Sequence, residues 1–478
     1  MNDVDVLVSP AERVPSCCIS SIPPEVLSKI LILASEQPQA NVHNLPVYLT
    51  QICSSWRLLA LDTPELWSYV RLIFNEKSAQ STSAIIQFAD QWLAKGRRGR
   101  LALHIHMGFS FDEDNLSDLA PIGRLLATRA RDWQKLTLAH CPETVTDYFI
   151  ARMAENSLPS LEEVELHAYA SIWCTRFDAL VSAPRLHTIR FQTSRTPSAQ
   201  HNLTLLFLPW RQLRSFSISA PVSERECLGI LRQCPELTSL EASVISDGMA
   251  SHGSQAPAII LPSLSRLKLT ANVTLGRSTS NIESFLDTLH LPALRELDLY
   301  FIGNDRWSPL VSRFWDGHAA QLCTLRLSKL KSRSDLYSFF RTMPNLASLE
   351  ISSPQLRLTA PDFEALRVER LLPALTHLNV PLGLAPGSLA VETVRSAVAL
   401  LEARATVCKD TGVELARPVH VRLTDCTQLD DGKRTLSEAD PLAMGVELER
   451  LRALRAEGMD IQLKVKGYDV VVPGTPHY

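Results

Sequence analysis

The nonapeptide LPSLEEVEL (158–166) returns along this chain as APRLHTIRF (183–191), CPELTSLEA (234–242), LPSLSRLKL (261–269), LPALRELDL (291–299), AAQLCTLRL (319–327), MPNLASLEI (343–351) and LPALTHLNV (372–380). A variant reads PWRQLRSFSI (209–218), and a weaker first copy reads RDWQKLTL (131–138). The anchors are Trp133, Leu161, Leu186, Leu213, Leu237, Leu264, Leu294, Leu322, Leu346 and Leu375, spaced 24 to 30 residues apart. The third and fifth residues after each anchor are apolar in all ten copies, although only 45% of the 478 residues are apolar. Strand side chains alternate with period two, so these two positions share one face, the core face of a short strand. Anchor +2, +4 and +6 point the other way. Segments with helical patterning lie between the strands, as at 225–234, 281–291 and 334–343, and several end at a proline. Each unit therefore reads as strand plus helix, and the units stack as a curved parallel sheet with helices outside, an α/β solenoid with one continuous core.

The period and pattern resemble the leucine-rich repeats, whose units span about 20–29 residues. The resemblance covers 130–385. It departs from the usual motif in lacking, in most copies, the asparagine that caps the turn after the strand; LKLTANVTL (267–275) comes nearest.

A second module precedes the array. In PPEVLSKILILASE, Val26, Leu27, Ile30, Leu31 and Ala34 form a wide helical stripe. Pro23 and Pro24 suit the start of a helix, and Glu25 suits its first turn. A second helix is expected to carry Leu49, Ile52, Cys53, Trp56, Leu59 and Ala60, and Thr63 to cap a short third one holding Leu66 and Trp67. The order Ile-Pro-Pro-Glu-Val-Leu, then Ile-Cys-x-x-Trp-Arg-x-x-Ala, then Thr-Pro-x-Leu-Trp resembles the F-box, in the form found in large fungal F-box families. The resemblance covers 20–70, with Ile22 where that family usually has Leu. It implies a small helical bundle that docks on the Skp adaptor, and through it on cullin, with Ile22, Pro23, Val26, Leu27, Ile30, Ile52, Cys53, Trp56 and Arg57 forming or supporting the surface. The competing reading is a helical cap for the end of the solenoid, which terminal repeats require.

The remaining divisions are a flexible N-terminus (1–19), a helical linker (71–129), and diverged last repeats with a C-terminal cap (386–478). The net charge of -3 provides no global basic field for nucleic acid. The basic run KGRRGR (95–100) lacks the aromatic partners of nucleic-acid sites. No stretch approaches the length of a membrane span, and the N-terminus lacks the pattern of a secretory signal. A cytoplasmic or nuclear protein with reduced cysteines is expected. Cys227 and Cys234 read as core residues, and Cys17-Cys18 as thiols of the flexible N-terminus.

No nucleotide-binding, metalloprotease or hydrolase motif is present. His104 and His106 share a strand face at a spacing two metal ligands could use, but no third ligand is near in sequence. We therefore expect no cofactor, no metal and no catalytic residues. The function expected from both resemblances is the substrate-recognition subunit of a Skp–cullin–F-box ubiquitin ligase. The alternative is a repeat scaffold whose F-box acts outside a cullin ligase or only caps the solenoid. An unnamed target protein is expected on the outward strand positions Glu163, Glu165, Arg190, Arg266, Lys268, Glu296, Asp298, Tyr300 and Arg326, where alternating signs disfavour a polyanion. Loops or the C-terminal cap are the competing location.

Overall fold

The computed structural model describes residues 22–35, 45–74, 82–97, 99–107, 119–154, 158–168, 178–193, 208–245, 258–272, 285–302, 313–329, 336–353, 356–382, 388–406, 420–425, 444–465 and 468–471. Its strands are β1 (Tyr69–Phe74), β2 (Leu101–Met107), β3 (Trp133–Cys141), β4 (Glu163–Ala168), β5 (Thr188–Thr193), β6 (Ser215–Ser223), β7 (Ser239–Ile245), β8 (Ile259–Ile260), β9 (Arg266–Asn272), β10 (Leu289–His290), β11 (Glu296–Ile302), β12 (Thr324–Ser328), β13 (Ser348–Ser352), β14 (His377–Leu382), β15 (His420–Asp425), β16 (Asp460–Val465) and β17 (Tyr468–Asp469). All but β8 and β10 form one sheet in chain order; fourteen strands run parallel and β17 closes the end antiparallel on β16. β8 and β10 pair with each other. The fold is α/β, a leucine-rich-repeat-like solenoid.

The repeat theme accounts for this sheet atom by atom. All ten anchors and all twenty +3 and +5 side chains are at most 3% exposed. They stand in register from strand to strand: Leu136 beside Val164, Val164 beside Ile189, Leu267 beside Leu297, Leu349 beside Leu378. The anchor N–H bonds the carbonyl three residues back, as in Leu264 to Leu261 (3.3 Å) and Leu294 to Leu291 (3.1 Å). Pro262 and Pro292 follow those carbonyls, where a turn wants the φ that proline already has. In most units the carbonyl after the anchor takes two N–H groups from the next unit. Glu162 accepts from His187 and Thr188, Arg295 from Cys323 and Thr324, and Ala347 from Thr376 and His377. Side-chain amides tie the loops before the strands together: Gln212 donates to Ala183 (2.6 Å) and Leu186 (2.9 Å), Gln321 to Leu291 (2.7 Å) and Asn345 to Ala320 (2.8 Å).

The sheet begins earlier than the repeats suggest. The stretch read as a helical linker, 71–129, holds the helices Thr82–Leu93 and Ala120–Thr128, but also most of β1 and all of β2. Trp67 is the anchor of this first unit. Val70 and Leu72, at +3 and +5, are buried, and the indole N–H donates to Ala60, seven residues back (2.7 Å). Trp133 does the same with Leu126 (3.0 Å). At the other end β15 and β16 continue the sheet, covered by the helices Ser388–Ala405 and Gly445–Ala456, whose apolar residues join the same core.

Two local expectations change. The helix expected through Cys53 is two helices, α2 (Leu45–Ile52) and α3 (Ser54–Leu61), following α1 (Pro24–Ser35). Cys53 is extended between them, ahead of two serines that favour caps over helix interiors. Thr63 precedes a 3-10 turn, Pro64–Trp67, without capping it; its hydroxyl donates to Leu59 (2.7 Å). Of the helix expected at 281–291, residues 281–284 lie outside the described residues and Leu289–His290 is strand.

Candidate partner-docking surfaces

The N-terminal helices have two unlike sides. Leu31, Leu49, Ala60, Leu66 and Trp67 are buried, with Leu27, Trp56 and Leu59 packed against the same core. Trp67 sets its ring edge-on to Trp92 (4.8 Å between centroids), and the Lys95 ammonium lies 4.4 Å from its ring. This side is covered by the array. On the other side seven large apolar residues are exposed: Val26, Ile30, Leu33, Tyr48, Ile52, Leu58 and Leu61. They are half of the exposed large apolar residues among the described ones, gathered in one small module. The helical period explains the division: Leu27 and Leu31 at i, i+4 face in, while Val26, Ile30 and Leu33 at i, i+4, i+7 face out. Arg57 ties α3 to α2 by donating to the Thr50 carbonyl (2.7 Å).

Of the residues assigned to the Skp surface, Pro23, Val26, Ile30, Ile52, Cys53 and Arg57 are exposed. Ile22, Leu27 and Trp56 are half-buried, and the last two support the surface from beneath. Leu33, Tyr48, Leu58 and Leu61 are exposed apolar positions that motif order alone did not single out; the outward period of α1 was the signal available for Leu33.

The second surface is the outward face of the sheet, with the +2, +4 and +6 side chains in rows. Neighbouring strands pair most of its charges. Glu163 meets Lys135 (3.0 Å) and Arg190 (3.9 Å). Glu165 accepts from His167 (2.9 Å), which holds its carboxyl below the usual range. Arg266 grips Glu296 through Nε (2.8 Å) and a terminal nitrogen (3.0 Å). Lys268 pairs with Glu241, and Arg326 with Glu350 (3.2 Å). Asp298 lies between Lys268 and Arg326 in register, and burial raises its pKa. Tyr300 has the Lys329 ammonium 4.9 Å from its ring. The face is thus a network of matched charges rather than blocks of one sign. Exposed pairs of this kind are each worth about 0–1 kcal/mol.

His104 and His106 do share the outward face of β2. His104 is pushed down to about 4, first by burial and then by Arg71 beside it. The His106 ring stands 5.0 Å from that of His140, which stands 6.1 Å from that of His167. Among the described residues no three His, Cys, Asp or Glu side chains are placed to hold a metal. Cys227 and Cys234 are buried, with thiols pushed up to about 12 by burial. Cys17-Cys18 lies outside the described residues. No described helix is long and apolar enough to cross a membrane.

No protein-family model matches this chain, and no curated protein does. Among solved structures, it is similar to a chain of the yeast Rad7 and Elc1 complex, at 14% identity over 74% of this chain and 87% of that one, with a TM-score of 0.38.

Proposed function

We propose that this chain is the substrate-recognition subunit of a Skp–cullin–F-box ubiquitin ligase. Helices α1–α3 dock the Skp adaptor and through it cullin, and the outward sheet face holds a target protein. The chain itself makes and breaks no bond; it contributes proximity, converting an encounter between ligase and target into a reaction within one assembly. It works in the cytoplasm or nucleus. The observation that carries this reading is the apolar face left uncovered on helices with the F-box motif order. A helical cap would bury one side and expose a polar other side, whereas this module exposes Ile30, Ile52 and Leu58 to solvent.

The test is co-purification of endogenous Skp with the tagged protein, wild type against Val26→Asp with Ile30→Asp. Both residues point outward, so the double variant keeps the fold and loses Skp. Recovery of Skp by the double variant at wild-type level would sink the docking surface. A second reading, the F-box as a cap alone, is favoured by the burial of Trp67 against Trp92 and survives if wild type brings down no Skp.

A further inference from the structure

The outward face carries a depression of about 330 Å³ across β12–β16, lined by side chains that include Arg326, Glu350, His377, Asn379, Arg422 and Gln462. We propose that this depression is where the target docks, and that it takes an extended peptide segment by one anionic side chain, carboxylate or phosphate, gripped by Arg422. The proposal deepens the receptor reading above and rests on it for the word target.

Charge matching singles out Arg422. Along the +2 and +4 rows from β3 to β14, Lys135, Arg190, Arg266, Lys268 and Arg326 each have a carboxylate partner. Arg422 has none among the described residues. Its neighbours in register are Asn379 on β14 and Gln462 on β16, both neutral amides. The carboxylates nearby are already engaged: Glu350 accepts from Arg326 (3.2 Å) and Asn379 (3.1 Å), and Asp460 lies 3.1 Å from His420 Nδ1.

Geometry points the same way. Arg422 uses only Nε, donating to Gln462 Oε1 (3.2 Å), which fixes the plane of an otherwise exposed guanidinium. Its two terminal nitrogens make no bond among the described residues. A planar fork of this kind matches the two oxygens of a carboxylate or phosphate. The His377 and His420 rings, 4.7 Å apart and tilted by 33°, form a flat wall beside it. Asn379 donates to Glu350 through its amide nitrogen, leaving its carbonyl oxygen as an acceptor for a peptide N–H. Glu350 and Asp460 line the same depression as Arg422, so a polyanion is repelled while one acidic side chain is accommodated.

Another cavity, of about 490 Å³, is lined by Pro292, Arg295, Gln321, Cys323 and Asn345 at the loops before the strands. Gln321 and Asn345 there are committed to loop carbonyls, so it offers less to a ligand.

The test uses the full-length protein and three fluorescent pools of short degenerate peptides, with the central residue fixed as Glu, phosphoserine or Gln. Anisotropy should show one or both anionic pools binding about tenfold tighter than the Gln pool, as a bidentate charge-assisted contact implies. Which pool wins distinguishes carboxylate from phosphate. Arg422→Gln should remove the preference without moving the melting temperature. Arg367→Gln, on a helix cation paired with Glu364 and away from the sheet face, should leave it intact. Equal binding of all pools, binding of none, or a preference that survives Arg422→Gln overturns the proposal. Skp pull-down with Arg422→Gln should be unchanged, and absence of Skp from the wild-type pull-down would sink the ligase reading while leaving the peptide preference standing.

Discussion

Leu267 and Lys268 are adjacent in sequence and opposite in environment. Leu267 is fully buried among Leu240 and Leu297, its neighbours in register, whereas Lys268 is exposed and paired with Glu241. Leu267→Ala leaves a cavity in a core that cannot collapse around it and should cost about 2–5 kcal/mol. Lys268→Ala removes one surface ion pair and should cost no more than about 1 kcal/mol. Denaturant midpoints measure both, and equal losses would contradict the register. At this scale the core was legible in the sequence, because an apolar residue at +3 and +5 in every copy has only one face to occupy. The outward face was not. Arg266 and Lys268 stand together as two cations in sequence, but their neutralising partners, Glu296 and Glu241, come from flanking strands. Arg422 was passed over for the same reason: its isolation is a property of its neighbours in register, which sequence separation conceals.

Among the elements, Trp67 belongs to two modules at once. As the last residue of TPELW it ends the motif order that resembles an F-box, and as an anchor it starts the first repeat, with α3 serving as that repeat's helix. β1 went unread because its anchor lies inside another motif and the spacing to Trp133 spans two units. We therefore expect the two modules to be inseparable at residue 70 but separable before Ser54. A chain beginning at Ser54 should keep β1 protected from hydrogen exchange while losing Skp. A chain beginning at Arg71 loses the partner of Trp92 and should expose β1 and β2. Trp67→Ala, which removes a buried indole and its bond to Ala60, should cost about 3–5 kcal/mol in that first unit. Full protection of Val70–Phe74 in Trp67→Ala would refute the double role.

Because each unit of a solenoid contacts only its neighbours, the whole molecule can lose stability at one end without losing it everywhere. The charge-sensitive groups are unevenly placed. His104, His106 and His140 lie on or beside β1–β4, and each is held below its ordinary pKa, by burial first and then by neighbouring cations or histidines. Arg71 faces His104 from β1, and from β4 His167 approaches His140 while Glu165 opposes the cations. A histidine with a lowered folded pKa is neutral in both states above pH 6.5, so its contribution is complete there. As pH falls below 6.5 the unfolded chain takes protons that the folded one refuses, and stability declines until the folded value is reached, about 4 for His104. Glu165, held low by His167, loses its contribution in the same direction at more acid pH. A histidine in the middle, His318, is also lowered, chiefly by burial; it lies within bonding distance of Phe314 O and accepts from the Leu291 N–H (2.8 Å). Acid should therefore open the N-terminal units first, with a second, weaker effect near Leu291–Phe314. Hydrogen exchange at pH 7 and pH 5 should show β1–β3 losing protection well before β13–β16. His104→Asn, which cannot be protonated, should reduce the difference, and uniform loss of protection along the sheet would show that the histidines do not set the order of opening.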